Sequence, residues 1–257
     1  MKRIFAREGT YGDFPEIMEK TKIGVVSLGH GAGGTLFALA LSQELGQRNK
    51  AAAYLELSGS GEGKPMVYQM LGMEKRFSRR GFMPVFSQIQ NNRRINGREN
   101  IEAGINWAIL HPHESMRELN LSPIQRIKLI NNFSGDYIVC DLGCQYLQEI
   151  ASEMDMIFAI VDPLPSKLIA NREMYQKLVG SRQKIIWVLN KDNRGIHRRH
   201  FYDYMKIKGH ETIPLMQGDI LYKAEYNCRL PYEQKEIRET IKPVMEKIVN
   251  RHILTKG

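Results

Sequence analysis

The residues best suited to chemistry lie in one short run. Gly29, His30, Gly31, Ala32, Gly33, Gly34 and Thr35 follow an apolar segment at 23–28 and precede a helix-like one. A glycine-rich turn between a strand and a helix lets backbone N–H groups and the positive helix end surround an anion. Two patterns overlap here. Aligned on Thr35, G-x-x-x-x-G-K-[ST] keeps Gly33 but has Gly34 at the lysine and Leu28 at the first glycine. Aligned on Gly29, Gly31 and Gly34, the dinucleotide pattern G-x-G-x-x-G is complete. Glu56 follows Gly34 by 22 residues, about where a ribose-binding acid belongs. A sharp turn without ligand is the third reading. Thr35 is placed either to bind Mg²⁺ or to cap the helix.

Other constellations offer less. His111-x-His113 and His197-x-x-His200 have metal-site spacings but no cysteine or carboxylate cluster, and Arg198 and Arg199 crowd the second pair with positive charge. Both read as surface histidines. Cys140 and Cys144 flank Asp141, and a thiol on an apolar strand reads as core rather than as redox chemistry. With Cys228 they make three, an odd number that suits reduced thiols in a cytoplasmic protein. No nucleophile elbow or Ser-His-Asp pattern is present.

The elements that must hold these residues recur as an apolar strand followed by a helix. Strands are expected at 23–28, 51–57, 106–110, 137–142, 157–161, 185–189 and 212–215. Helices are expected at 35–46 (stopped by Gly46), 121–131 (opened by Ser122-Pro123), 166–179, and 233–254, where Pro243 kinks or breaks the run. The strands are apolar throughout rather than alternating, as in a parallel sheet buried on both faces. The predicted architecture is a three-layer α/β sandwich with a mostly parallel central sheet, one domain over 1–257. A composition of 42% hydrophobic and 25% charged residues excludes a disordered chain or a disulfide framework. No apolar run approaches the ~18 residues of a membrane span, and the polar start at 1–20 does not resemble a secretory signal. The net charge of +9 is partly local: Lys75, Arg76, Arg79, Arg80, Arg93, Arg94 and Arg98 fall in an irregular Gly-, Arg- and Asn-rich insertion at 59–98. That stretch reads either as a solvated surface or as a binding patch.

The ordered set of segments resembles the ParA/MinD group of P-loop ATPases, the deviant-Walker-A family. Residues 23–35 are similar to a decayed form of its opening strand and loop, and 52–57 to its second strand. Asp136-Tyr137-Ile138-Val139-Cys140-Asp141-Leu142-Gly143 resembles its D-Y-I-I-I-D strand with the small residue that follows. Residues 157–163, the strand 186–190 ending in Asn190, and Ile213-Pro214-Leu215 with Gly218-Asp219 resemble the later segments. The likeness spans about 22–249. It implies a P-loop NTPase-like fold with ATP or ADP held by Gly29, His30, Gly31, Ala32, Gly33, Gly34 and Thr35. It implies Mg²⁺ at Thr35 and Asp141, Glu56 in place of an aspartate near the attacking water, Asn190 at the base edge and Pro214 beside the nucleotide.

The departures from that pattern carry as much meaning. The family's two loop lysines, one of which reaches a partner subunit, are replaced here by Gly34 and Gly29. Without them the phosphates and the transition state lose their direct cations. The chain therefore resembles a degenerate member, similar to the TadZ/CpaE-type proteins that help place pilus and secretion machinery. Nucleotide binding with weak or absent hydrolysis follows, serving spatial or assembly regulation. An active ATPase that borrows a cation from Lys64, Arg98, His30 or a second subunit stays open, as do a structural protein with an empty loop and, least favoured, a dinucleotide-dependent oxidoreductase. The resemblance also implies a homodimer, here insensitive to ATP. The basic stretch suits an acidic protein partner of an assembly machine better than DNA, because it holds Phe77, Phe82 and Phe86 but no DNA-reading motif. MinD-type relatives lie on membranes through a C-terminal amphipathic helix. Here Glu246 and the lack of aromatic anchors favour a helix covering its own sheet.

Overall fold

The computed structural model describes residues 20–57, 67–93, 95, 98–114, 119–145, 148–207 and 209–254. Eight strands form one sheet among the described residues: β1 (Thr21–Leu28), β2 (Ala52–Glu56), β3 (Ile101–Glu102), β4 (Ile105–Ala108), β5 (Tyr137–Asp141), β6 (Met156–Val161), β7 (Ile185–Asp192) and β8 (Glu211–Pro214). Their order is β3-β4-β2-β5-β1-β6-β7-β8. Every neighbouring pair is parallel except the β3–β4 hairpin. β1 is central, flanked by β5 and β6 with Val25 opposite both Asp141 and Phe158.

The expected apolar strands are all present, and all but the edge strand β8 bury side chains on both faces. One core cluster joins the sheet to α1 (Gly34–Gln47), α2 (Val67–Met70), α3 (Met73–Arg76), α10 (Gly218–Tyr226) and α11 (Lys235–Ile248). The other joins it to α4 (Val85–Gln90), α5 (Pro123–Asn132), α6 (Gln148–Ala151), α7 (Pro165–Ala170), α8 (Arg172–Val179) and α9 (Arg198–Met205). This is the three-layer α/β sandwich, and each layer removes apolar area from water at roughly 25 cal/mol per Å². α5 starts as expected: Ser122 and Gln125 form a reciprocal capping box with Pro123 in the first turn.

Several local expectations are corrected. Gly46 does not stop α1; it lets the helix approach the β3–β4 turn, where a Cβ would lie 3.1 Å from the Gly104 carbonyl oxygen. The helix expected at 166–179 is two helices meeting at Asn171. Pro243 lies inside α11 without ending it, and a π turn at Val249–Ile253 follows. β3, α9 and α10 escaped the sequence pattern because each is short or buries few residues: only Phe201 and Met205 in α9, and Ala224 in α10. The apolar face of α11 (Ile237, Ile241, Met245, Ile248) is buried, packing on α1 and β8, so it is not presented to a membrane. No helix among the described residues is long and apolar enough to cross one.

Within the stretch 59–98, the described residues 67–93 pack against the sheet. Its first half anchors Val67, Tyr68, Leu71, Met73 and Phe77 in one core cluster, and Val85, Phe86 and Ile89 enter the other. Its cations divide accordingly. Arg76 is tied down by the Leu71 carbonyl at 2.9 Å, the Cys228 carbonyl at 3.0 Å and the Glu233 carboxylate at 2.9 Å. Arg80 pairs with Glu102 at 2.7 Å and lies over the Phe77 ring. Arg98 donates to Ser134 Oγ at 3.1 Å. Lys75, Arg79 and Arg93 are exposed, and Arg94 lies outside the described residues. Removing Arg76 leaves two carbonyls and a carboxylate without their donor. Arg76→Ala is therefore expected to lower the unfolding free energy in urea by about 1–3 kcal/mol, whereas Arg79→Ala should stay within about 0.5 kcal/mol.

Candidate functional site

The central strand β1 delivers its carboxyl end to the glycine run. Gly29, Gly31 and Gly33 take φ of 92°, 72° and 94°. A side chain is strained at each, so the alternation of glycine with other residues is a backbone requirement. Gly33 is the N-cap of α1 and no side chain caps the helix. The first-turn N–H groups thus have no intrahelical acceptor and point out of the helix end.

Thr35 accordingly does not cap the helix. Its hydroxyl donates to Asp141 Oδ2 at 2.7 Å. Asp141 ends β5, beside β1, and is only 1% exposed. It also accepts from the Tyr54 hydroxyl at 3.0 Å and the Gly143 N–H at 3.0 Å. Burial pushes the Asp141 carboxyl above its ordinary range, against the opposing pull of those three donors. Burial, with the Asp141 and Glu56 charges behind it, holds the Tyr54 phenol well above its usual value, so it stays a donor. Glu56 lies opposite Asp141 in the β2–β5 register, and its Oε2 accepts the Leu110 N–H at 3.0 Å.

Above these groups opens a cleft of about 460 Å³. His30, Gly31, Gly33, Gly34, Thr35, Glu56 and Asp141 line one end, and Leu36, Leu39, Leu71, Leu215 and Met216 line an apolar wall. Gly29 and Ala32 are buried beneath the loop. Asn190 also reaches the cleft, but its amide donates to the Ala32 carbonyl at 2.6 Å and so braces the loop from below. Pro214 is exposed at the end of β8; the cleft is lined by its successors Leu215 and Met216 instead. His30 faces solvent, with Nδ1 at 3.8 Å from Cys144 Sγ. Burial raises the Cys144 thiol pKa, so it is not a ready nucleophile, and Cys140 is fully buried core. Arg98 is engaged with Ser134 and does not line the cleft, and Lys64 lies outside the described residues.

Two lysines that sequence reasoning missed reach the loop from outside it. Lys167 donates to the His30 carbonyl at 2.7 Å. Lys191 donates to the Gly31 carbonyl at 2.7 Å and to Asp162 at 2.7 Å, from a left-handed backbone with φ of 60°. The adjacent Asn190-Lys191 pair was the available signal, because consecutive residues at a strand end can reach consecutive carbonyls of one loop. Neither Gly29 nor Gly34 has room for a side chain. A Cβ on Gly34 would collide with Ser27 Oγ, and one on Gly29 with the Asn171 side-chain amide. Asn171 is the residue that separates α7 from α8.

The sequence matches no protein-family model, and no curated protein matches it significantly. The structure does have similar solved relatives. The MinD cell-division ATPase of Pyrococcus furiosus superposes with a TM-score of 0.67 at 16% identity, over 90% of this chain and 98% of that one. The chain has the fold of the ParA/MinD ATPases. A putative plasmid partition protein of Borrelia burgdorferi bound to AMPPNP gives 0.64 at 12% identity, over 91% and 100% of the two chains. The MinC:MinD complex of Aquifex aeolicus gives 0.65 at 13%, over 92% and 99%. Within this ParA/MinD fold, the glycine run occupies the turn from the central strand into the first helix.

Two expectations follow from the packing. Gly34→Lys should lower stability by about 1–3 kcal/mol because Ser27 must give way, and adding Ser27→Gly should recover part of that loss in thermal melts. Asp141 has a raised folded-state pKa, so its ionisation opposes folding. That cost is absent below the unfolded carboxylate pKa and grows as pH rises from there towards the folded one. Asp141→Asn should therefore be more stable than the wild type at neutral pH, by about 0.5–2 kcal/mol, with the difference closing in acid.

Proposed function

We propose that this chain is a nucleotide-binding regulator of the ParA/MinD fold that binds ATP or ADP weakly and hydrolyses little or none. The observation that carries the reading is the pair of sealed lysine positions: Gly29 against Asn171 and Gly34 against Ser27. The backbone cradle is built, while the cations that would stabilise a transferring phosphoryl group are replaced by packed side chains. The Borrelia relative was captured with AMPPNP, which supports a nucleotide as the ligand of such a cleft. Thr35 and Asp141 present hydroxyl and carboxylate oxygens, the donors that Mg²⁺ takes, and this metal keeps several waters rather than needing an all-protein cage. That suits a site where no group of three or more His, Cys, Asp or Glu converges among the described residues. Glu56 and Asp141 remain the carboxylates nearest any residual chemistry.

In this reading the output is assembly or positioning through a protein partner, with the chain acting as a monomer or an ATP-insensitive homodimer. The complex of MinD with MinC supports a protein partner on this fold. A second reading, an ATPase with a borrowed cation, draws on Lys191, a residue that lines the cleft and whose ammonium meets the loop at the Gly31 carbonyl.

Calorimetry with ATP and Mg²⁺ decides the first half: weak saturable heat is expected, lost in Gly33→Val. No heat at millimolar nucleotide would favour an empty structural loop. Phosphate release decides the second half. Losing one preorganised donor costs ~10²–10³ in rate, so turnover should be at background. Robust turnover abolished by Asp141→Ala and by Lys191→Met would establish the borrowed-cation ATPase instead.

A further inference from the structure

One buried hydroxyl at the carboxylate end of the cleft has no part in the function proposed above. Tyr54 is 0% exposed, on a strand buried along its whole length. Its ring packs on Trp107, with centroids 5.5 Å apart. Tyr54 lies opposite Val139 in the β2–β5 register, and its hydroxyl reaches two residues further along β5, to Asp141 Oδ2 at 3.0 Å. A phenol this deep needs an acceptor. Among the described residues Asp141 is the one it has. The same carboxylate is claimed from two other sides. Thr35 Oγ1 donates to Oδ2 at 2.7 Å, and the Gly143 N–H donates to Oδ1 at 3.0 Å. An ionised carboxylate offers about four lone-pair sites. Three are thus taken, two of them on Oδ2. Glu56, the other carboxylate at this end, accepts the Leu110 N–H through Oε2 at 3.0 Å.

We propose that Tyr54 is a positioning residue that keeps Asp141 Oδ2 from Mg²⁺, so that this site takes its nucleotide with little help from the metal. Mg²⁺ demands near-ideal octahedral geometry and gives up its waters reluctantly. A magnesium ion, or a water it carries, gains Oδ2 only by displacing a hydroxyl. Thr35 lines the cleft and is half-buried, so its hydroxyl can turn to solvent or to the metal. The Tyr54 hydroxyl is sealed in the core, and a buried donor stripped of its acceptor bears its full desolvation cost. Thr35 still has lone pairs for a metal that arrives on the phosphates, but the carboxylate that would fix that metal is engaged. The inference rests on the nucleotide half of the proposed function and says how that nucleotide is held: by backbone N–H groups, with the metal as a minor partner.

The test is calorimetry of the full chain with ADP, and separately with inorganic pyrophosphate, each in Mg²⁺ and in EDTA, for the wild type and for Tyr54→Phe. In the wild type the dissociation constants in the two media should agree within about threefold. Tyr54→Phe keeps the ring and opens one acceptor site on Oδ2. Its affinity should gain about tenfold from Mg²⁺, the scale of one charge-assisted hydrogen bond. A merely structural role for the hydroxyl would weaken binding equally in both media and leave their ratio alone. The inference is overturned if the wild type loses about tenfold or more of its affinity in EDTA, or if the ratio is the same in both proteins. Should Tyr54→Phe fail to fold, the wild-type ratio alone decides. Nucleotide that binds only with Mg²⁺ removes this inference and leaves the proposed function standing. No binding of either ligand in either medium removes both.

Discussion

The turn between β1 and α1 governs everything around it. The chain leaves the central strand and enters a 14-residue helix through three glycines in left-handed conformation, at 29, 31 and 33. Cβ atoms at 29 and 33 would also strike the side-chain amides of Asn171 and Asn190. Conformation and space thus make the same demand twice. Because β1 sits between β5 and β6, the turn falls between the strand end that carries Asp141 and the one that leads into Asp162 and α7. The open end of α1 is thereby surrounded by carboxylates, amides and ammonium groups from four other segments.

Charge around that turn is distributed in an unusual way. Lys167 and Lys191 sit on the carbonyl side of the loop, at His30 and Gly31, rather than among its N–H groups. A cation on a peptide carbonyl polarises the peptide and strengthens the N–H on its far side as a donor. The Gly31 N–H, beyond the His30 carbonyl that Lys167 meets, is thereby strengthened, whereas the Ala32 N–H, beyond the Gly31 carbonyl, donates to the Gly29 carbonyl at 3.3 Å. Under the proposed function, such an arrangement suits holding a phosphate better than stabilising charge that develops during its transfer, since the latter needs donors aimed at the transition state.

Much of this was legible in residue types. Continuously apolar strands announced a doubly covered parallel sheet, and Ser122-Pro123 announced the start of α5. The glycine spacing located the turn, whereas the close approach of Gly143 to β1, where its carbonyl receives the Ser27 N–H at 2.7 Å, had no signal of its own. What stayed hidden has a common physical cause. Helices that bury one or two residues leave no periodicity, so α9 and α10 were missed. Long-range contacts between polar side chains and backbone leave no local pattern at all: Lys167 reaches the loop across 137 residues and Lys191 across 160. The pairing within the basic stretch was hidden for the same reason, because Arg76 finds Glu233 across 157 residues. That residues 29–35 hold no lysine was plain in the sequence, but that Ser27 and Asn171 close off the space beside Gly34 and Gly29 was not.

The central claim is that a lysine-free loop still offers its backbone N–H groups to phosphate. Amide ¹⁵N–¹H shifts of the full chain, followed while ADP with Mg²⁺ is titrated in, read those groups one at a time. The account requires saturable movement of the Gly31, Gly33, Gly34 and Thr35 amides at millimolar ligand, with the amides of β3 and β4 unmoved. Silence of the four loop amides while signals elsewhere shift would contradict it.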